Sequence, residues 1–139
     1  MNLKFNIKSE VKKKRTAEHL MMVLFRSMVK MHELAVINCP VDKGFLKNSI
    51  ILKPANPGYE NYILGDGVAY GIDVEFGTSP HVIKPKKKKA LKFKMDNKTI
   101  FAKKVMHPGT EAQPWMRPAL DQVKNVWVKR YMNQELKKG

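Results

Sequence analysis

The stretch that decides the fold is LMMVLFRSMVKMHELAVI, residues 20–37, which repeats apolar side chains at helical spacing over about five turns. The residues that share one face at steps of three or four are Leu20, Leu24, Met28, Met31 and Ala35. We therefore expect an amphipathic helix from Val11 to Ile37. Ser9 is a suitable N-cap for this helix, and Pro40 ends it because proline cannot continue a helix.

Four methionines in this helix, Met21, Met22, Met28 and Met31, admit two interpretations. They could form an adaptable face for a partner, or they could fill the core. Their helical spacing favours the core.

Short β patterns follow the helix, separated by turn residues at 56–59, 65–67 and 96–98. The segments predicted as strands are Ser49–Lys53, Tyr62–Leu64, Val68–Phe76, Ala90–Met95 and Thr99–Val105. The alternation at Met1–Ile7 fits a short strand or an extended arm. A second helical pattern closes the chain, in PWMRPALDQVKNVWVKRYM, residues 114–132. This order predicts one α+β domain over residues 1–139, with a long N-terminal helix and a C-terminal helix packed on a small antiparallel β-sheet with an extended basic β-hairpin.

The net charge is +15 and is unevenly distributed along the chain. Residues 40–78 carry three basic and five acidic side chains, whereas residues 79–111 carry ten basic and two acidic ones. The stretch HVIKPKKKKALKFK, residues 81–94, alone contains seven lysines. Such asymmetry indicates a charged partner, namely nucleic acid, an acidic protein face or a membrane surface.

The lysine run lacks the aromatic residues that usually stack on bases. Phe93 is the only aromatic residue in the run, and strand alternation directs it away from Lys92 and Lys94. We therefore expect no sequence-specific reading of nucleic acid. A non-specific phosphate contact and a solvated hairpin both remain open.

The sequence carries little sign of catalysis, so we expect a protein that is not an enzyme and uses no cofactor or metal. Asp42, Asp73 and Glu75 with a histidine could form a hydrolase site, but nothing in the sequence brings them together. His81 and His107 could approach each other across the base of the hairpin. No cysteine or carboxylate cluster joins them at the spacing of metal ligands, so we do not expect a metal site there.

The lone cysteine, Cys39, is expected to be a small buried hydrophobe. The longest aliphatic run is too short to span a bilayer, and the basic N-terminus does not resemble a secretion signal. We therefore expect no membrane contact and synthesis in the cytoplasm.

Three blocks, in this order after an N-terminal helix, resemble the small tail-completion or head–tail joining proteins of long-tailed double-stranded DNA bacteriophages. The blocks are CPVDKGFLKNSI at 39–50, VAYGIDVEFGTSPHVIKPKKKKAL at 68–91 and HPGTEAQPWMRPAL at 107–120. The resemblance covers roughly residues 11–131. It implies a virion protein made in the host bacterial cytoplasm that assembles as a homo-oligomeric ring in the neck, between the head connector or stopper protein and the tail tube or tail terminator protein.

In a protein of that family the genome passes through the ring, so contacts with phage double-stranded DNA should be transient and non-specific. The resemblance makes the lysines candidates for a DNA-channel or inter-subunit contact, and it marks Trp115 and Glu75 as anchors for a partner or for the fold. The lysines in question are Lys84, Lys86, Lys87, Lys88, Lys89, Lys92 and Lys94. A tail terminator that caps the tube and a stand-alone basic nucleic-acid-binding module are the alternatives.

Overall fold

The computed structural model describes residues 2–5, 14–54, 62–65 and 67–138, with the backbone alone described at 2–5 and 14–16. In chain order the elements are β1 Asn2–Phe5, α1 Lys14–Asn38, α2 Phe45–Ser49, β2 Ile51–Pro54, β3 Tyr62–Gly65, α3 Gly71–Phe76, β4 His81–Ile83, β5 Leu91–Met95, β6 Lys98–Ala102, β7 Val105–His107, α4 Met116–Gln122, a π-helical segment Val123–Trp127, and α5 Val128–Leu136. The molecule is an α+β protein. The predicted cap at Ser9, the turn at 56–59 and Asp66 lie outside the described residues.

The core forms where α1 meets α4 and α5, because each of these helices has one apolar face. From α1 it contains Leu24, Met28, Met31 and Ala35, which belong to the face predicted from the sequence. From the C-terminal helices it contains Met116, Ala119 and Val123. Of the four methionines with two interpretations, Met28 and Met31 are buried, whereas Met21 and Met22 are exposed.

Polar contacts along the α1–α5 seam supplement this packing. Arg26 donates from Nη1 to Oε1 of Glu135 at 3.2 Å, and its guanidinium lies 4.2 Å from the ring centroid of Tyr131. A hydrogen bond from Lys138, assisted by the nearby charge of Arg26, holds the pKa of Glu135 below its ordinary value.

The three-stranded sheet has the order β1-β3-β2 and is antiparallel throughout. Leu64 on the central strand is fully buried. The predicted strand at Ser49–Lys53 begins later, at Ile51, because the preceding residues form the single turn of α2. Gly44 allows this turn with a φ of 81°, and the Asn48 N–H donates to the Gly44 carbonyl at 2.9 Å.

The predicted strand at Val68–Phe76 is wrong, since Gly71–Phe76 is a helix, α3. The sequence alternates apolar and polar residues here, which led to the strand prediction. The structure instead buries Gly71 and Glu75, four residues apart, and exposes Ile72 and Phe76. A spacing of four residues is helical, and it puts the Glu75 carboxylate on the inner face. The helix is favoured there because this carboxylate contacts Trp115 and Met116, about 40 residues later in the chain.

The basic part of the chain forms two separate two-stranded ribbons, β4–β7 and β5–β6. The predicted return strand at Thr99–Val105 is divided into β6 and β7 by Lys103 and Lys104. Asp96 and Asn97 both have positive φ in the two-residue turn that joins β5 to β6. In the described residues, the β-structure consists of one three-stranded sheet and two two-stranded ribbons, which agrees with the small antiparallel sheets of an α+β fold.

Among the described residues, none of the helices has the length and apolar character needed to cross a membrane.

Candidate functional site: a groove beside a lysine-rich ribbon

Glu75 joins α3 to the start of α4. Its side chain is fully buried, and Oε2 accepts the backbone N–H groups of Trp115 at 2.7 Å and Met116 at 2.9 Å. Oε1 accepts the backbone N–H of Arg117 at 3.1 Å and its Nε at 2.8 Å. The first N–H groups of a helix have no partner within the helix, so this carboxylate caps α4 from 40 residues away.

The environment of Glu75 keeps it ionised. Burial by itself would raise the pKa of this carboxyl group. The hydrogen bonds from Met116, Trp115 and Arg117 outweigh burial, so the pKa lies below its ordinary value. Both oxygens are occupied by these donors, and Glu75 is a structural anchor of the fold.

Trp115, the other predicted anchor, is also fully buried, in the core beside Met116. Its side chain therefore packs inside this chain and presents no surface to a partner. Next to it, the Gln113 N–H donates to the Val74 carbonyl at 2.8 Å. This bond and the Glu75 cap hold the second and third sequence blocks together.

The same two blocks are joined again at Thr78 and Thr110, whose backbones exchange hydrogen bonds at 3.0 and 3.1 Å. The glycines beside them allow this approach. Gly77 and Gly109 have φ values of 72° and 86°, and a Cβ at Gly109 would collide with the Thr78 carbonyl oxygen.

His81 and His107 continue the pairing in β4 and β7. They are directly opposite each other, as expected from the sequence, with ring centroids 5.1 Å apart. Within the described part of the chain, no three His, Cys, Asp or Glu residues are grouped to hold a metal ion.

An open groove of about 880 Å³ lies between these elements. Its lining residues are Pro40, Val41, Asp42, Lys43, Gly44, Phe45 and Leu46 from the first block, Tyr70, Asp73, Val74, Thr78, His81 and Ile83 from the second, and His107, Thr110, Glu111 and Gln113 from the third. The groove is partly apolar, since Val41 and Phe45 are 61% and 65% exposed. It is also acidic, because three carboxylates face one lysine.

Asp42 and Asp73 both line this groove, whereas Glu75 does not, because it is engaged at α4. The three residues of the hydrolase hypothesis therefore do not form one cluster. Glu111 supplies the third carboxylate of the groove and was not singled out from the sequence. Glu111 reaches the groove because the neighbouring Thr110 pairs with Thr78, and the sequence carries no local signal for that pairing.

The predicted lysines fall into two groups. Lys84 and Lys86–Lys89 are exposed in the segment that connects β4 to β5, and Lys92 and Lys94 are exposed on β5. Lys103 and Lys104 are exposed in the segment that connects β6 to β7. In the described part of the chain, none of these lysines forms an ion pair. The lysines of the two connections between the ribbons form a concentrated positive surface, which we call the lysine waist: Lys84, Lys86, Lys87, Lys88, Lys89, Lys103 and Lys104.

An aromatic residue accompanies the β5 lysines after all. Phe101 is paired with Lys92 across the hairpin, is 66% exposed, and has its ring centroid 5.8 Å from Lys92 Nζ. The two-residue turn fixes this register, because Met95 opposite Lys98 places Lys92 opposite Phe101. The turn predicted at 96–98 is one residue too long and would have put Ala102 opposite Lys92, because Lys98 belongs to β6 and not to the turn.

Comparison of the chain with protein-family models, with curated proteins and with solved structures finds no match.

Proposed function

We propose that this chain is a structural protein of a bacteriophage neck, which assembles as a ring, joins the DNA-filled head to the tail and completes the channel for the genome. It is a virion protein made in the host cytoplasm and acts without catalysis. Its neighbours are further copies of itself, the head connector or stopper protein, and the tail tube or tail terminator protein.

One observation carries this proposal. Each residue that lines the groove comes from one of the three sequence blocks on which the resemblance to neck proteins rests. The Glu75 cap and the Thr78–Thr110 pairing join the second and third blocks. The first block, which precedes the third by about 60 residues of chain, joins them through the core, where Cys39, Leu46 and Ile50 are buried in one cluster with Trp115. The residues of the resemblance therefore share one surface as well as the core.

The character of that surface suits a joint between proteins. Exposed apolar side chains such as Val41, Phe45 and Tyr70 surround the groove, and clustered exposed apolar residues mark interaction sites. The lysine waist supplies a repeated positive charge once the chain is arranged in a ring. Against a passing duplex, such charge makes weak and salt-sensitive contacts, which permit sliding.

Electron microscopy of particles produced without this gene tests the proposal. We expect DNA-filled heads beside unattached tails of normal length. Complementation with the wild-type gene should restore joined particles. Normally joined virions without the gene would overturn the proposal. Unattached tails of abnormal length would instead assign the chain to the tail terminator role, because the tube would lack its cap.

A non-specific nucleic-acid-binding module is the second candidate function, and the Lys92–Phe101 pair favours it. An exposed aromatic ring among unpaired lysines is the combination that stacks on bases and neutralises phosphates. Tight binding to single-stranded DNA, lost in Phe101→Ala but kept in Phe45→Ala, would support this candidate. Equal binding by both variants would exclude stacking on Phe101.

A further inference from the structure

The hairpin formed by β5 and β6 has an apolar face that the described part of the chain covers only in part, since Leu91, Phe93, Ile100 and Ala102 are half-buried. Cross-strand pairing puts Leu91 beside Ala102 and Phe93 beside Ile100 on this face, with Met95 next to the turn. Met95 is 58% exposed, and each strand packs chiefly against the other. A two-stranded hairpin without further packing is only marginally stable in water. Burial of this face against a partner would therefore stabilise the hairpin.

The opposite face of the hairpin is different in character. It carries Lys92, Lys94, Thr99 and Phe101, so two of the three lysines in β5 and β6 lie on it, whereas Lys98 lies beside Met95 on the apolar face. A partner on the apolar face would leave the basic face free. The hairpin extends over five residues per strand, which is about 17 Å of ribbon.

The groove has the properties that the apolar face of the hairpin requires. It offers Val41, Phe45 and Tyr70 as apolar contacts. Its carboxylates Asp42 and Asp73 complement the positive charge of Lys98, which is paired with Met95 on the apolar face of the hairpin. None of the residues that line it belongs to β5 or β6. His81, Ile83 and His107 of the neighbouring β4–β7 ribbon form part of its wall. The β5–β6 hairpin of the same chain therefore follows this wall in the chain but does not occupy the groove.

We propose that the β5–β6 hairpin of one copy docks, by its apolar face, into the acidic apolar groove of a second copy of this chain. The two surfaces are different parts of the chain, so the contact is head-to-tail, and repeated contacts of this type close into a ring when the rotation permits. This inference rests on the proposed function and names the contact that builds the ring. The basic face and the lysine waist stay accessible after docking.

Disulfide trapping between two differently tagged full-length variants tests the contact. One carries Met95→Cys at the hairpin and the other carries Val41→Cys at the groove; both positions are exposed. We expect the mixed dimer to form at least tenfold faster than with Asn133→Cys, an exposed position on α5, as the groove partner. The wild-type chain is the blank, because Cys39 is buried.

Charge reversal supplies an independent measurement. Asp42→Lys with Asp73→Lys in the groove chain should abolish the acceleration. Lys98→Glu in the hairpin chain, on the docking face beside Met95, should restore it, whereas Lys94→Glu on the opposite face should not. Equal trapping at Asn133 would overturn the inference, as would preferential Met95–Met95 dimers, which indicate pairing between hairpin edges. Loss without restoration would also contradict the charge complementarity that the inference needs.

The two proposals fail separately. If gene disruption separates heads from tails but Met95 and Val41 do not trap each other, the neck role stands and the hairpin contact is wrong. If trapping succeeds but virions assemble normally without the gene, the contact stands and the neck role is wrong.

Discussion

Replacing Glu75 by glutamine tests how the N-terminus of α4 is held. The variant keeps the size of the side chain but removes its charge and replaces one oxygen by an NH₂ group. Four donors converge on the carboxylate in the wild type, two at each oxygen. The amide oxygen can serve the two buried N–H groups of Trp115 and Met116, which leaves the NH₂ group facing the two donors of Arg117.

The cost follows from that geometry. A buried donor without an acceptor costs about 1–3 kcal/mol. The Arg117 side chain is 51% exposed, so water can hydrate its Nε, and the backbone N–H of Arg117 bears most of this loss. Loss of the negative charge at the start of a helix adds about 0.3–2 kcal/mol. We therefore expect the free energy of unfolding to fall by about 2–4 kcal/mol, and the melting temperature to fall by roughly 6–20 °C.

Urea unfolding at pH 7 followed by circular dichroism measures this difference. Glu111→Gln is the matched control, because that carboxylate is exposed and should change stability by less than about 0.5 kcal/mol. A Glu75→Gln variant as stable as the control would refute the conclusion that this carboxylate caps α4.

The pH dependence of the same pair adds a second measurement. The folded-state pKa of Glu75 lies below its ordinary value, so its contribution is fully present above the unfolded pKa of about 4.3 and is lost as the pH falls through the folded pKa. The stability difference between wild type and Glu75→Gln should therefore be largest at neutral pH and shrink below about pH 4.3. Glu135 is present in both proteins and cancels. A difference that grew on acidification would contradict the assigned pKa direction.

Two further changes test the ribbon and its charge. Gly109→Ala should destabilise the fold by about 2 kcal/mol or more in urea unfolding, because φ is 86° and the new Cβ meets the Thr78 carbonyl. Gly67→Ala, where the nearest atom is 3.8 Å from the new Cβ, should cost less than about 1 kcal/mol, and equal losses would contradict the steric argument. Neutralising three lysines of the waist should lower duplex DNA affinity and reduce the log–log salt slope by about 0.9 for each phosphate that the variant no longer neutralises. The triple variant is Lys87→Gln, Lys88→Gln and Lys89→Gln, and its matched control is Lys124→Gln, Lys129→Gln and Lys137→Gln. Fluorescence anisotropy measures the salt dependence of duplex affinity for both. Equal salt slopes would show that the lysine waist makes no specific contribution to DNA binding.

The β5–β6 hairpin presents two different faces, because neighbouring residues along each strand point to opposite sides. Strand alternation separates Phe93 from Lys92, as the sequence predicts, and pairing with β6 then adds Phe101 to the lysine side. Phe93 acquires Ile100 as its neighbour on the other side. In the two proposals above, the basic face makes the weak contact with a duplex and the apolar face contacts a second copy.

The sequence by itself determined the elements whose signals are local. The 3.6-residue periodicity of α1 defined its core face, and the turn residues at 96–98 located the hairpin. The hairpin register differs from the one that this turn implies, because Lys98 joins β6 and leaves a two-residue turn at Asp96 and Asn97. The excess of lysine in residues 79–111 also followed from the chain alone. In each case, neighbours within a few residues settle the conformation.

Only the tertiary structure decided α3, the groove and the role of Glu75. Alternating apolar residues at 70–76 favour a strand locally, but a helix there brings the Glu75 carboxylate to the unpaired N–H groups of α4, 40 residues later. Asp42, Asp73 and Glu111 meet at the groove for the same reason. The free energy of such contacts depends on partners distant in the chain, and no local pattern records which partners will meet.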